Sequence, residues 1–157
     1  GVTGSVAAKI SHSKDEFRRL HSMLDECSTI VDRIAIVRLE DKGIRTNGYL
    51  VTAHFGEKCD ACMIVHGYHD LKNDEERWPL STSFYTNSFL HENGGLFDLT
   101  QLATAFDPDG GGHANACGCR IQPLTKDGQR EERVVVSSDI ERNIEAWMIS
   151  WADRLRQ

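Results

Sequence analysis

The sequence FDPDGGGHANACGCR, at residues 106–120, contains three consecutive glycines followed by a histidine. Adjacent glycines cost backbone entropy, so such a run is typical of a segment that needs positive φ angles or close backbone approach. Successive N–H groups without Cβ atoms can converge on an anion, and a short helical turn at 113–116 would direct further amides to the same point. A histidine can add a hydrogen bond to a phosphate. We therefore predict a phosphate-binding loop made of Gly110, Gly111, Gly112 and His113, with a flexible loop as the alternative when only the spacing is considered.

The segments before this loop alternate between apolar and polar runs. Ser13 and Glu16 have capping-box spacing, and the apolar residues that follow at helical spacing predict a helix over 14–27. Short runs rich in β-branched residues predict strands at 31–39, 47–54, 62–68 and 80–86. The polar run Asp70–Arg77 predicts a solvated loop between the last two of these strands.

The segments around and after the loop complete an α/β pattern. Capping and apolar spacing predict a short helix over 98–106, then strands at 119–124 and 133–136, then a final helix capped by Ser138 and Glu141. Trp147 and Trp151 lie on the apolar face of that helix, and we expect them to be core or interface residues. The predicted fold is a single α/β domain with a mixed central sheet of about six strands and helices packed on it.

Composition limits the classes to which the protein can belong. The chain has 157 residues with 39% hydrophobic and 27% charged residues, which is ordinary for one globular domain. A formal net charge of −6 disfavours wrapping of duplex DNA, and no apolar run has the length of a membrane helix. Five cysteines, an odd number, are typical of reduced thiols, so we expect a cytoplasmic protein. We expect residues 1–12 to be a flexible N-terminal segment or an expression remnant, and residues 13–157 to be the domain.

The string GGGHANACG at 110–118 resembles the glycine-glycine-glycine-histidine motif of the DHH-associated domain, the C-terminal domain of DHH-family phosphoesterases. The helix segment FDLTQLATAF at 97–106 lies where that family has the helix that leads into its glycine loop. The predicted elements follow the family order over most of the chain, but only the loop is specific. The same domain class also occurs beside other catalytic modules, so the motif indicates a domain rather than a substrate.

The resemblance implies that one domain binds the substrate and another binds the metal. In the family, this domain holds the phosphate or terminal nucleotide of the substrate, while a separate N-terminal DHH domain binds manganese with aspartates and histidines. Gly110, Gly111, Gly112 and His113 would then bind the substrate, with Tyr85, Thr86 and Asn115 as further candidate contacts. No Asp-His-His string occurs in this chain, so we expect neither a catalytic residue nor a metal site in it. The expected partners are a short single-stranded oligonucleotide, a nucleotide or a cyclic dinucleotide, the DHH domain, and in addition a second copy of this chain.

Two features depart from the family pattern. Relatives often carry an arginine where Tyr85 lies in Ser83–Asn87, so the charge partner of the phosphate is either lost or supplied from elsewhere. Tyr85 would then be either a core residue or a surface on which a base stacks. Asp107 and Asp109 also place negative charge beside the predicted anion site.

The cysteines, histidines and serines suggest other kinds of site. Cys59, Cys62, His66 and His69 could surround a zinc ion, but a strand from Cys62 would hold Cys62 and His66 about 13 Å apart, so we expect core cysteines and polar strand histidines. The pair Cys117 and Cys119 is expected to be packing. No nucleophile elbow supports a serine hydrolase. A non-enzymatic nucleotide-sensing or dimerising module, with the Trp147 and Trp151 face towards its partner, is the alternative function.

Overall fold

Two apolar runs of the sequence form the centre of the sheet. The computed structural model describes residues 2–71 and 76–156, with side chains from residue 13 onward. Strand β2 (Ile34–Arg38) lies parallel to β3 (Ala61–His66), and all but the last residue of each strand are buried. Strands that are apolar along both faces are typical of sheet centres covered on both sides.

Four more strands extend the sheet to six, in the spatial order β1-β2-β3-β4-β6-β5, and all the remaining pairs are antiparallel. The prediction of a mixed six-stranded α/β sheet is confirmed. The other elements are, in chain order, α1 (Val2–Cys27), β1 (Ser28–Val31), α2 (Gly48–Phe55), β4 (Ser81–Thr86), α3 (Thr100–Ala103), β5 (Gly111–His113), β6 (Ala116–Arg120) and α4 (Ser137–Ala152).

The two faces of the sheet bury separate cores. On one face, Met63 and Phe84 pack with residues of α3 and α4, and the rings of Phe84 and Trp147 meet edge to face with centroids 5.0 Å apart. On the other face, Val37 and Ile64 pack with residues of α1 and α2. The second face is covered from β1 to β4, because α1 contacts β1 and β2 while α2 contacts β3 and β4.

The tryptophans of α4 belong to the first core. Trp147 and Trp151 are each only 1% exposed. The core expectation is therefore confirmed, whereas the idea that these rings face a partner is wrong, because the sheet covers them. A dimerising module that used this face is accordingly set aside.

The predicted strand at 47–54 is wrong, since this segment is helix α2. The side chain of Asn47 accepts a hydrogen bond from the N–H of Leu50 at 2.9 Å, which is the contact of a helix N-cap. Gly48 allows the helix to lie close to the sheet: a Cβ there would lie 2.0 Å from Cγ of Tyr85. The β-branched run around Val51 therefore packs as a helix against the sheet.

Other boundaries also differ from the predictions. Strand β6 begins at Ala116 rather than 119 and ends at Arg120, and residues 133–136 precede α4 without forming a strand. Strands β1 and β5 were not predicted. The structure confirms the loop position between β3 and β4, but residues 72–75 of the predicted loop at 70–77 lie outside the described residues.

Helix α1 passes through the capping box predicted at Ser13, because it begins at Val2. The flexibility expected for residues 1–12 stays a prediction. Within residues 2–71 and 76–156, no helix combines the length and the apolar character that crossing a membrane requires.

Candidate functional site

The three glycines lie in a β-hairpin. Gly111–His113 form the edge strand β5, which pairs antiparallel with β6 across a turn at Ala114 and Asn115. The helical turn predicted at 113–116 is wrong, because His113 pairs with Ala116 across the hairpin. The N–H groups of an edge strand alternate between its neighbour and the outside, so only every second N–H of β5 faces its free edge. The N–H of Gly110 donates to the carbonyl oxygen of Asp107 at 3.0 Å.

Packing explains two of the three glycines. A Cβ at Gly110 would lie 2.0 Å from the carbonyl oxygen of Ala103. At Gly112, where φ is +135°, a Cβ would lie 2.8 Å from the carbonyl oxygen of Ala116. A Cβ at Gly111 would meet nothing within 4 Å. Close packing of the hairpin therefore accounts for Gly110 and Gly112, but not for Gly111.

Gly111 borders an uncovered part of the sheet. Residues of a strand alternate between the two faces, and Phe84 and Cys117 belong to the α3 and α4 core, so their neighbours in sequence lie on the opposite face. We call this surface the open face. Its members are Ser81, Ser83, Ala116, Gly118, Arg120, Gly111 and His113, and Tyr85 lies at its border, where α2 packs on the ring.

Small residues form the floor of the open face. Ser83, Gly118 and Gly111 lie in one row across three strands. The next row contains Tyr85, Ala116 and the exposed His113. The result is a shallow surface with its bulkier polar side chains at the ends of the rows, and this arrangement leaves space for a ligand above the floor.

The predicted contacts Thr86 and Asn115 lie together at one end of this surface. The side-chain oxygen of Asn115 accepts hydrogen bonds from Oγ1 of Thr86 and from the N–H of Gly95, both at 2.9 Å. These contacts hold the hairpin turn to the end of β4. Tyr85, Thr86 and Asn115 also line a cavity of about 410 Å³ with the first residues of α2. The structure thus brings Tyr85, Thr86, Asn115 and His113 to one end of the sheet, with Gly111 opposite the middle of β6.

His66 lies beside the open face and was predicted only as a polar strand residue. Its Nδ1 accepts a hydrogen bond from Nε1 of Trp78 at 2.9 Å. Neutral His66 therefore carries its proton on Nε2, which lies 3.4 Å from Oγ of Ser83. Burial, and secondarily the charge of Arg45, lower the pKa of His66, so it is neutral at pH 7 and can donate from Nε2.

The carboxylate of Asp107 is used within the fold. Asp107 is 6% exposed, and its oxygens accept the backbone N–H groups of Asp109 at 2.9 Å and Arg120 at 2.8 Å. Its charge therefore supports the loop before β5 from inside. Asp109 is exposed, so it is the carboxylate that adds negative charge at the surface near the glycines.

The buried cysteines are neutral thiols, and the described histidines away from the open face contact carboxylates or one another. Burial raises the pKa of the Cys59 thiol to about 11 and those of Cys117 and Cys119 to about 12. These thiols are protonated at neutral pH, a state in which they are poor nucleophiles and metal ligands. His69 bonds Asp41 at 2.5 Å. Over the described ranges, no group of three or more His, Cys, Asp or Glu side chains could hold a metal ion.

A surface arginine was also missed by the predictions. Arg120 ends β6 on the open face, and its side chain forms no hydrogen bond or ion pair with the described part of the chain. The alternation in Ala116–Arg120 could have indicated it. The two cysteines of that run lie on the core side of the strand, and the arginine lies on the other side with the alanine and the glycine.

Comparison with known proteins identifies the fold. The sequence matches no protein-family model and no curated protein. The structure is similar to part of a pGpG-specific phosphodiesterase, PggH from Vibrio cholerae, with a TM-score of 0.55 and 13% identity over 83% of this chain. It is also similar to part of an exopolyphosphatase-related protein from Bacteroides fragilis, with a TM-score of 0.53 and 15% identity over 88% of this chain. In both cases the match covers 36% of the other protein, so the chain spans about a third of their length.

Proposed function

We propose that this chain is the substrate-binding, DHH-associated part of a metal-dependent phosphodiesterase. On this proposal, Gly110, Gly111, Gly112 and His113 hold a phosphate of a short single-stranded oligonucleotide, a nucleotide or a cyclic dinucleotide. The motif GGGHANACG and the fold shared with part of PggH support the assignment. The other fold relative is described as exopolyphosphatase-related, and this description also refers to the cleavage of bonds to phosphate.

The observation that carries the proposal is the position of Gly111. Its missing side chain leaves open space on the open face, next to an exposed histidine and to the backbone amides of an edge strand. Backbone N–H groups and an imidazole are suitable donors to a phosphate oxygen. A side chain at this position would occupy the space that a ligand needs.

The contribution of the chain to catalysis would be positioning. A substrate held on the open face has its phosphate fixed relative to whatever domain closes over that face, and such orientation lowers the barrier of the chemical step. By the resemblance to the family, manganese bound in the N-terminal DHH domain would supply the activated water. We propose that domain as the partner of this chain, and we expect the isolated chain to be inactive.

A binding titration with a fluorescent 5′-phosphorylated oligonucleotide tests the proposal. Two variants block the surface: Gly111→Val places a side chain in the open space, and Ser83→Leu fills the floor from a residue of a regular strand. Ser150→Leu is the matched control, because Ser150 is exposed on α4 on the opposite side of the sheet. We expect both blocking variants to lose binding and the control to retain it.

Two results would contradict the proposal. One is unchanged affinity in both blocking variants, provided that their circular dichroism spectra match that of the unchanged protein. The other is the absence of binding by the unchanged protein itself across the accessible concentration range. The first result would exclude the open face as the binding surface, and the second would leave the chain without the proposed ligand.

A further inference from the structure

Arg120 lies at the far end of the open face from His113. The register of the sheet aligns His66, Ser81 and Arg120 in one row. The Cα partner of His113 is Ala116, four residues before Arg120 on β6. At a rise of about 3.4 Å per residue, the two rows are therefore about 13 Å apart along the strand. The open face thus carries one cationic or hydrogen-bonding side chain at each end of a floor of small residues.

The charge of Arg120 is available to a ligand. The side chain is exposed and has no ion-pair partner among the described residues, whereas its backbone N–H is held by Asp107 at 2.8 Å. The backbone anchor fixes where the side chain begins, and the guanidinium remains able to form a paired contact with a phosphate.

Arg120 also lines a cavity of about 350 Å³ beyond the end of β6. Arg130 lines it, and Nε of Arg130 donates to Oε1 of the buried Gln122 at 3.0 Å, so the stem of this second arginine is held in place. The acidic residues of the cavity are already close to arginines: Glu131 lies 2.6 Å from Arg133, and Glu132 lies 3.8 Å from Arg130. Arg130 and Arg133 therefore already lie close to carboxylates, and Arg120 is the lining arginine that has no ion-pair partner among the described residues.

We propose that Arg120, with Arg130 behind it, forms a second anion subsite that binds a further phosphate of a short oligonucleotide whose first phosphate lies at Gly111 and His113. The inference rests on the proposed function and adds a preference for length. A mononucleotide has one phosphate group and cannot occupy both ends of the open face. Stacked nucleotides advance by about 3.4 Å each, so about four steps, as in a pentanucleotide, are needed to span the two rows.

The test is a comparison of ligand lengths. The affinities of the unchanged protein for 5′-AMP and for 5′-phosphorylated oligoadenylates of two, three and five nucleotides are measured by competition with the fluorescent oligonucleotide. We expect affinity to rise with length in the unchanged protein. Arg120→Ala should bind the pentanucleotide about fivefold or more weakly while its affinity for 5′-AMP is unchanged.

Three further variants make the result specific. Arg120→Lys keeps the charge and should restore part of the length preference. Arg156→Ala removes an exposed arginine near the C-terminal end of the chain, beyond α4, and should change nothing. His113→Ala should weaken every ligand, including 5′-AMP. The salt dependence of pentanucleotide binding should also fall by about one ion in Arg120→Ala.

The outcomes separate the two claims. If Arg120→Ala retains the length preference while His113→Ala loses binding, the second subsite is wrong and the proposed function stands. If the unchanged protein shows no length preference, the second subsite is also wrong. If the unchanged protein binds none of the probes, both the proposed function and the inference from it are overturned.

Discussion

Nε1 of Trp78 donates a hydrogen bond to Nδ1 of His66 at 2.9 Å, and this contact decides which nitrogen of His66 carries the proton. The imidazole is half-buried, and its pKa lies below the ordinary value because of burial and of the nearby charge of Arg45. Protonation of Nδ1 would break the bond to Trp78. The neutral ring is therefore part of the folded structure, and it presents an Nε2 donor at the margin of the open face.

The first prediction is a pH dependence of stability. Because the pKa of His66 is lower in the folded than in the unfolded state, unfolding takes up a proton as the pH falls below about 6.5. The stability contributed by neutral His66 is complete above that pH and decreases as the pH falls towards the lowered pKa. Urea unfolding at about pH 7.5 and about pH 5.5 should show a smaller loss of stability in His66→Gln than in the unchanged protein. An equal loss in both proteins would contradict the assignment to His66.

The second prediction concerns the start of α4. Asp139 is fully buried and accepts hydrogen bonds from the N–H groups of Val136 at 2.8 Å and Leu124 at 3.1 Å and from the guanidinium of Arg133 at 2.7 Å. Asp139→Asn removes one of the two carboxylates that pair with this guanidinium and weakens the hydrogen bonds at a buried acceptor, and we expect a loss of about 2 kcal/mol in the free energy of unfolding. Asp153→Asn, at an exposed carboxylate near the other end of the helix, is the control.

Asp139 also predicts acid sensitivity. Its hydrogen bonds lower its pKa to about 2 against the opposing effect of burial. Because the folded-state pKa is depressed, this contribution is present above about pH 4 and is lost as the pH falls towards 2. Asp139→Asn should therefore show a shallower loss of stability over that interval than the unchanged protein. A loss of the same slope would show that Asp139 is not the group responsible.

The third prediction tests His113 directly. His113 is exposed, so His113→Ala should leave the free energy of unfolding unchanged. We expect it to weaken binding of a 5′-phosphorylated oligonucleotide by roughly 1–3 kcal/mol, the range for hydrogen bonds to charged groups. Fluorescence titration measures this change, with Lys126→Ala at an exposed turn as the control for the loss of a basic residue. Unchanged affinity would remove His113 from the site.

The fourth prediction separates close packing from φ strain in the glycine hairpin. Gly112→Ala places a Cβ 2.8 Å from backbone atoms of Ala116 and Cys117, so the hairpin must shift, at a cost of about 1–3 kcal/mol. Gly128 also has a positive φ, of +80°, but a Cβ there meets nothing within 4 Å. Chemical denaturation should show a larger loss of stability in Gly112→Ala than in Gly128→Ala. Equal losses would mean that φ alone limits these positions.

The fifth prediction concerns the cap that makes residues 48–55 a helix. Asn47→Ala removes the acceptor for the N–H of Leu50 and should lower the free energy of unfolding by about 1 kcal/mol. Asn93, an exposed residue in a turn, supplies the matched control Asn93→Ala. A loss no greater than in that control would show that the side chain of Asn47 contributes nothing as a cap.

The segments that were predicted correctly are those whose local pattern and tertiary setting agree. The apolar runs around Ile36 and Ile64 are buried on both faces, so any packing that buries them uses them as central strands. The apolar positions of α4 recur at helical spacing, and Trp147 and Trp151 lie in the core. For these elements, hydrophobic periodicity is sufficient information.

The segments that were predicted wrongly have weak or conflicting local signals. The run from Gly48 to Phe55 is rich in residues that suit strands, yet it is a helix because Asn47 caps it and Gly48 allows it to approach Tyr85. Strand β5 contains only Gly111, Gly112 and His113, and nothing in such a segment favours a strand until β6 pairs with it. Strand formation at an edge is decided by the neighbour rather than by the segment itself.

Some features of the candidate site were likewise evident in the sequence, and others depend on the tertiary structure. The sequence alone determined the α/β class, the main core residues and the unusual stretch Gly110–His113, because composition, periodicity and glycine runs are local properties. Only the tertiary structure decided that Gly111 faces open space, that His66 is held neutral by Trp78, and that Arg120 lies on the same face. Strand register and side-chain alternation create these relationships, and both depend on pairing between segments that lie far apart in the chain.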